Sequence, residues 1–564
     1  MKPLPSLQWW IAPTRLVLSG AALDLMHFSR PLLLLLFLLL LLPVLTVLGS
    51  WLQWDATSAD VLASMASTVL PDYALSSLML CGLVSLGVIS MGTVSAAAVT
   101  LFEFRGRRLF EWALLLPLAM PAYVVAYAYT DFLQFSGPVQ TWIRGQWGLQ
   151  GRVLPEIRSL WGAASVLALA LYPYVYLLAR GALAERATHL MEAARLLGAP
   201  LSRRILRVAL PLARPAIAAG TALALMETLA DYGVSSYFGV QTFTTGIYKA
   251  WLVMEDRVAA AQLSTLLLGV VLCVLAVERQ AQSRLRFASS RMGERAREAQ
   301  PVQLHGWAEW GVIVLCGMPV LLGFVLPVVV MLHALWASGD SVSWPWGRFV
   351  MWAWNSFRLG VITAAMAVVV ALWLAFEARR QPRGVVSLAV QGVGLGYAVP
   401  GAVIVVGLLL PLTWLQSHWP DLGAGAWLTA TVLGLIWAYL VRFVAVALQS
   451  VQSGYSRIPL SFDESARMLG ATGGRLLQTV HWPLLRRSAA AAAMLVLVDV
   501  MKELPATLVL RPFNTDTLAV MAYQLARDER LGEAALPSLA LVLVGLLPVM
   551  LLSRTLRREA PGGG

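Results

Sequence analysis

A polar stretch of twenty residues occurs twice in this chain, in register, and each copy interrupts long apolar segments. Glu192 to Pro211 reads E-A-A-R-L-L-G-A-P-L-S-R-R-I-L-R-V-A-L-P, and Glu464 to Pro483 reads E-S-A-R-M-L-G-A-T-G-G-R-L-L-Q-T-V-H-W-P. The Glu, Gly, Val and Pro positions all stand 272 residues apart. Ala and Leu favour a helix, small residues allow a partner to approach closely, and Gly198 and Gly470 can end it at left-handed dihedrals. Pro211 and Pro483 suit the first turn of a following helix, where no N–H is needed. One copy could be an ordinary basic loop. Two in register define a chain built of two repeated halves.

The flanking segments set the fold class. Hydrophobic residues make up 59% of the chain and charged residues 13%, with a mean hydropathy of +0.72. That balance excludes an ordinary soluble enzyme and predicts an all-α polytopic membrane protein. Six spans are expected in the first half, near 31–48, 74–101, 110–129, 160–178, 212–232 and 259–277. Six more are expected near 312–335, 359–376, 385–410, 426–448, 488–509 and 534–552. The halves divide as 1–290 and 311–564, joined by an arginine-rich linker at 291–310. Residues 1–30, with Trp9 and Trp10 near Arg15, read as an amphipathic interfacial segment or a tail. The net charge of +12 is spread between apolar spans, which fits the positive-inside rule better than a nucleic-acid surface. The Arg105–Arg108 and Arg379–Arg383 clusters, both repeat loops and both termini are therefore expected inside. The loop carrying Asp55, Asp60 and Asp72 is expected outside.

Several chemistries are excluded. A phosphate-binding loop needs a lysine after glycine, and none of Lys2, Lys249 and Lys502 follows one. The six histidines lack zinc-site spacing, and no serine sits in a nucleophile elbow. Cys81, Cys273 and Cys316 lie within apolar segments and read as small hydrophobes. No catalytic residue, bound metal or cofactor is expected in this chain.

Charge does occur at membrane depth just beyond each repeat. Glu227 and Asp231 are one helical turn apart, and Asp499 and Glu503 repeat them 272 residues on, with Lys502 between. Ionisable groups at that depth face a cavity or a partner. One reading is an acidic path that favours a cation. The other is structural ion pairing, with Lys502 beside Asp499.

The repeat resembles the EAA loop of the membrane subunits of bacterial binding-protein-dependent ABC importers. The stretches from Glu227 to Trp251 and from Lys502 to Ala519 look like the two halves of fused ferric-iron permeases. The resemblance implies that Glu192, Ala193, Ala194, Gly198 and Pro211, with Glu464, Ser465, Ala466, Gly470 and Pro483, couple to an ATPase. It further implies two copies of that ATP-binding subunit, which hold ATP and Mg, a periplasmic substrate-binding protein, and location in the inner membrane. Ser465 and Trp482 depart from the usual Ala and Leu. The alternatives are the same machine for thiamine, a polyamine or a phosphonate, an ion-driven secondary transporter, and a membrane-embedded enzyme. The paired loops count against a secondary transporter, and the missing catalytic constellations count against an enzyme.

Cysteines placed at Ser202 and Ser461 should resist an impermeant thiol reagent in intact cells, while one at Ser58 should react. Labelling of either loop from outside would reverse the orientation.

Overall fold

A computed structural model describes residues 29–52, 56–184, 188–289, 301–337, 346–381, 383–423, 425, 429–471 and 473–559. The N-terminal segment up to residue 28 and the linker stretch 290–300 lie outside these residues. The described chain is all-α apart from one parallel pairing of two residues with two, Phe102 with Val302 and Glu103 with Gln303. That pairing ties the start of the second half to a turn of the first. Ten described helices are long and apolar enough to cross a membrane, and a bent pair could form an eleventh. The Trp482–Lys502 helix is equally long but carries Arg486, Arg487, Asp499 and Lys502, which is why apolarity alone passes over it.

The repeat extends well beyond the polar loops. Leu160–Ala182 corresponds to Leu433–Tyr455, and Leu210–Ala230 corresponds to Trp482–Lys502. The short Gly233–Tyr237 helix matches Pro505–Leu510, and the long Arg257–Ser289 helix matches Leu531–Glu559.

Proline corrects three of the expected boundaries. The span expected at 110–129 bends by 90° between Arg107–Ala119 and Ala122–Trp147. Met120 is extended there because a residue before proline is pushed out of the α region, and Pro121 begins the new helix. Val399 and Pro400 break the span expected at 385–410 in the same way. The third correction concerns Pro211 and Pro483, which do not open new helices. Each follows a single π-helical turn, Ile205–Ala209 or Leu477–His481, inside a continuous rod. The N–H of Leu210 bonds to Ile205 and that of Trp482 to Leu477. The wider turn accommodates a ring that lacks an N–H.

Glycine sets the closest helix contacts. A Cβ on Gly92 would lie 2.7 Å from Val175 Cβ, and one on Gly220 would lie 2.7 Å from Val175 Cα. Three helices of the first half therefore meet at Val175, as small residues permit in a bilayer. The outer helices also cross between the halves. Ser29–Gly49 lies on the second half, where Thr46 Oγ1 donates to Gly407 O (2.5 Å) and Trp437 Nε1 donates to Leu39 O (3.0 Å). The Trp307–Ala337 span lies on the first, with Tyr129 Oη donating to Leu322 O (2.8 Å).

Gly220→Ala should destabilise the detergent-solubilised protein by ~1–3 kcal/mol through overpacking. Gly181→Ala, where the added methyl meets nothing within 4 Å, should be neutral or mildly stabilising. Thermal unfolding of both variants checks the contrast.

Candidate functional site

The long helices Leu210–Ala230 and Trp482–Lys502 end inside the protein, and a cavity of about 200 Å³ opens where they end. Glu227, Asp231, Asp499, Lys502 and Glu503 all line it, together with Arg442, Tyr123, Tyr174 and Tyr397. The sequence repeat thus brings equivalent carboxylates from the two halves to one space.

The carboxylates divide into two kinds. Asp231 accepts from the backbone N–H groups of Val234 (3.4 Å) and Ser235 (3.0 Å) and from Ser235 Oγ (3.1 Å). Glu503 accepts from the N–H groups of Ala506 (2.9 Å) and Thr507 (3.0 Å) and from Thr507 Oγ1 (2.6 Å). Each caps the short helix that follows, satisfying donors that a helix start leaves unpaired. Glu227 and Asp499, one turn earlier, are not spent in this way. Glu227 lies 3.5 Å from the Arg442 guanidinium, and that pair spans the two halves.

Lys502 Nζ donates to the Leu118 carbonyl of the first half (2.9 Å). The pairing within one helix, Lys502 with Asp499, is thus not its hydrogen bond. Arg442 was missed by the sequence reading, although a lone arginine inside an apolar run carries the same signal as the acids did. The wall holds four carboxylates and two cations, and both cations come from the second half. Among the described residues, no group of three His, Cys, Asp or Glu side chains is placed to hold a metal ion.

The two loops share one backbone design. Thr188–Leu196 and Leu460–Met468 are short helices closed by Gly198 (φ +77°) and Gly470 (φ +82°). Ala199 N–H bonds to Ala194 O (3.0 Å) and Ala471 N–H bonds to Ala466 O (2.9 Å), so both ends are Schellman turns. An added Cβ meets nothing within 4 Å at either glycine; the positive φ is what glycine supplies. Leu196 and Leu197 are 89% and 87% exposed, and their counterparts Met468 and Leu469 are both 89% exposed. Exposed apolar side chains thus recur at the tip of each loop. Ala193, Glu464, Ser465 and Pro483 are exposed, Ala194 and Pro211 are partly buried, and Ala466 is buried; the Glu192 side chain is outside the described set.

Behind the second loop lies a buried ionic network. Arg379 Nε donates to Asp463 Oδ2 (2.7 Å), His481 Nε2 lies 3.0 Å from Asp463 Oδ1, and Tyr455 Oη lies 3.2 Å from His481 Nδ1. The repeat places Met191 and Ala209 where Asp463 and His481 stand, and both are buried apolar residues. Burial pushes the Asp463 carboxyl up, but hydrogen bonds from Arg379 and His481 and their charges outweigh it and hold it below the usual carboxylate range.

A membrane permease built of two repeated halves accounts for these features together. Residues 88–286 match the family of binding-protein-dependent transport system inner membrane components. It is similar to the Fe(3+)-transport system permease protein FbpB 2 of Haemophilus influenzae, 26% identical over 80% of this chain and 84% of the relative. The ferric transport system permease protein FbpB of Actinobacillus pleuropneumoniae is 22% identical over 74% of this chain and 61% of its own length. The sulfate transport system permease protein CysT of Salmonella typhimurium is 28% identical over 42% of this chain and 82% of its own. The apolar helices and these likenesses support a multi-pass inner-membrane transport subunit.

Asp463→Asn should weaken the ionic hold on the second loop and raise its proteolysis at Arg467 and Arg475 at neutral pH. In the unmodified chain a depressed carboxyl contributes fully above its unfolded value of ~3.9. That contribution is lost only as pH falls through the lower folded value. Cleavage should therefore stay flat down to about pH 4 and rise below it. Equal cleavage of both proteins across the range would dismiss the network as a restraint.

Proposed function

We propose that this chain is the permease of an ATP-driven importer for ferric iron, with one ATPase copy on each loop and both termini on the loop side, in the cytoplasm. The observation that carries the reading is the pair of identical loop tips below a cavity lined by carboxylates of both halves. Likeness to two ferric permeases over most of the chain supports iron as the cargo. ATP and Mg belong to the partner ATPases. Closure of those subunits draws the exposed tips at Leu196–Leu197 and Met468–Leu469 together. Each tip continues through its π turn into the rod that carries Glu227 or Asp499, so loop movement reaches the cavity along one rigid element.

At the cavity, Glu227 and Asp499 attract the cation, and Arg442 and Lys502 keep the well shallow enough for release. Asp231 and Glu503 hold the turns that form the wall. A second reading rests on those same two cations: they would suit an oxyanion cargo, the kind carried by the sulfate relative.

Proteoliposomes holding the permease, its ATPase and its binding protein should take up radiolabelled ferric iron and not sulfate; the reverse would establish the second reading. Glu227→Gln with Asp499→Asn should cut iron uptake per folded transporter by about tenfold or more, the scale for removing interactions with a charged group. Gly198→Asp with Gly470→Asp should insert normally yet lose coupled transport. Normal uptake by this last variant would remove the loops from the coupling path.

A further inference from the structure

We propose that a stack of tyrosines leading to the cavity from the face opposite the loops is an oxygen-ligand entry site for a hard trivalent cation. The proposal rests on the iron reading above and extends it to residues that the carboxylate argument does not use.

The stack begins at the surface. Glu529 is 75% exposed and lies 3.5 Å from Arg158, whose guanidinium carbon sits 5.1 Å from the centre of the Tyr237 ring. Both residues lie away from the loops: Arg158 precedes the Leu160–Ala182 helix, which runs down to the first loop, and Glu529 precedes Leu531–Glu559. Tyr237 meets Tyr127 nearly edge-on, with ring centres 4.7 Å apart, and Tyr127 lies 5.7 Å from Tyr123. Tyr123 lines the cavity. A continuous run of three phenols thus joins the surface to the carboxylates.

Two features mark the run as more than packing. Tyr127 is wholly buried and Tyr123 is 6% exposed, yet neither hydroxyl has a hydrogen-bond partner among the described residues. Buried tyrosines normally find one, and those nearby do: Tyr248 donates to Pro505 O (2.7 Å), Tyr439 bonds Thr507 (2.7 Å) and Tyr523 bonds Ser236 (2.9 Å). The repeat supplies the second feature. Aligning Pro121 with Pro400 places Ala402 and Val406 opposite Tyr123 and Tyr127, and the loop register places Val509 opposite Tyr237. The same fold positions are apolar in the other half, so the architecture does not require phenols there.

Hard, highly charged cations take oxygen ligands. A phenol that ligates such a cation gives up its proton and becomes an anionic donor, so each phenolate formed releases one proton to solvent. A cation leaving its water shell near Glu529 would pass over these oxygens before it reached Glu227 and Asp499. Several weak sites in series permit entry without trapping.

The test uses the full chain in lipid nanodiscs, with ferric nitrilotriacetate as the probe. Wild-type protein should develop a visible phenolate-to-iron charge-transfer band, and the variant combining Tyr123→Phe, Tyr127→Phe and Tyr237→Phe should not. In proteoliposomes with its partners, that variant should take up radiolabelled iron about tenfold more slowly while the amount of permease–ATPase complex recovered stays unchanged. Should the triple variant fail to assemble, Tyr123→Phe and Tyr127→Phe alone should each weaken the band. Wild-type uptake without a band, or full uptake by the phenylalanine variants, would overturn the tyrosine site and leave the iron reading intact. A wild-type transporter that moves no iron would overturn both.

Discussion

A helix that stops within a bilayer leaves backbone donors and acceptors that lipid cannot satisfy, and each such group costs several kcal/mol. Here the chain stops twice at matched positions of the repeat, after Ala230 and after Lys502, and each time a carboxylate takes up the donors of the next short helix. Those two caps allow the chain to turn inward rather than cross. The turns create the cavity, and the cavity brings Glu227 and Asp499 face to face. Without Asp231 and Glu503 the long helices would have no means of ending where they do. Their place in the repeat therefore reflects architecture, whereas Glu227 and Asp499, one turn earlier, cap no helix.

The two halves share a backbone plan and differ in chemistry. The first contributes Glu227, Asp231 and Tyr123 to the central space. The second contributes both cations, Arg442 and Lys502, and also the Arg379–Asp463–His481 network behind its loop. A buried ionic network fixes geometry more sharply than it adds stability, whereas Met191 and Ala209 in the first half offer only apolar packing.

The fold class was legible because apolar runs of membrane length and two in-register loops leave few alternatives. The positions of Gly198 and Gly470 were legible because a left-handed turn needs glycine. Helix boundaries were less so. Pro121 and Pro400 fall inside the spans expected at 110–129 and 385–410, yet they are breaks, and Pro211 and Pro483 read as helix starts, yet they follow π turns. Periodicity cannot tell a kink from a break, since both leave the apolar pattern intact. Arg442 and the stack at Tyr123 and Tyr127 escaped notice for a different reason. They lie far apart in sequence from the acids they approach, and only the folded chain makes them neighbours.

The exchange of outer helices bears on how the chain is made. The Ser29–Gly49 helix is among the first to leave the ribosome, but its contact at Gly407 lies 361 residues later. At ~5–20 residues per second, that partner emerges some ~20–70 s afterwards. Lipid tails are as apolar as leucine, so the early helix can wait in the bilayer without penalty and dock when the second half arrives. Assembly is then closed by its oldest segment. A break in the polypeptide between the halves would leave each with a groove shaped for a helix held by the other.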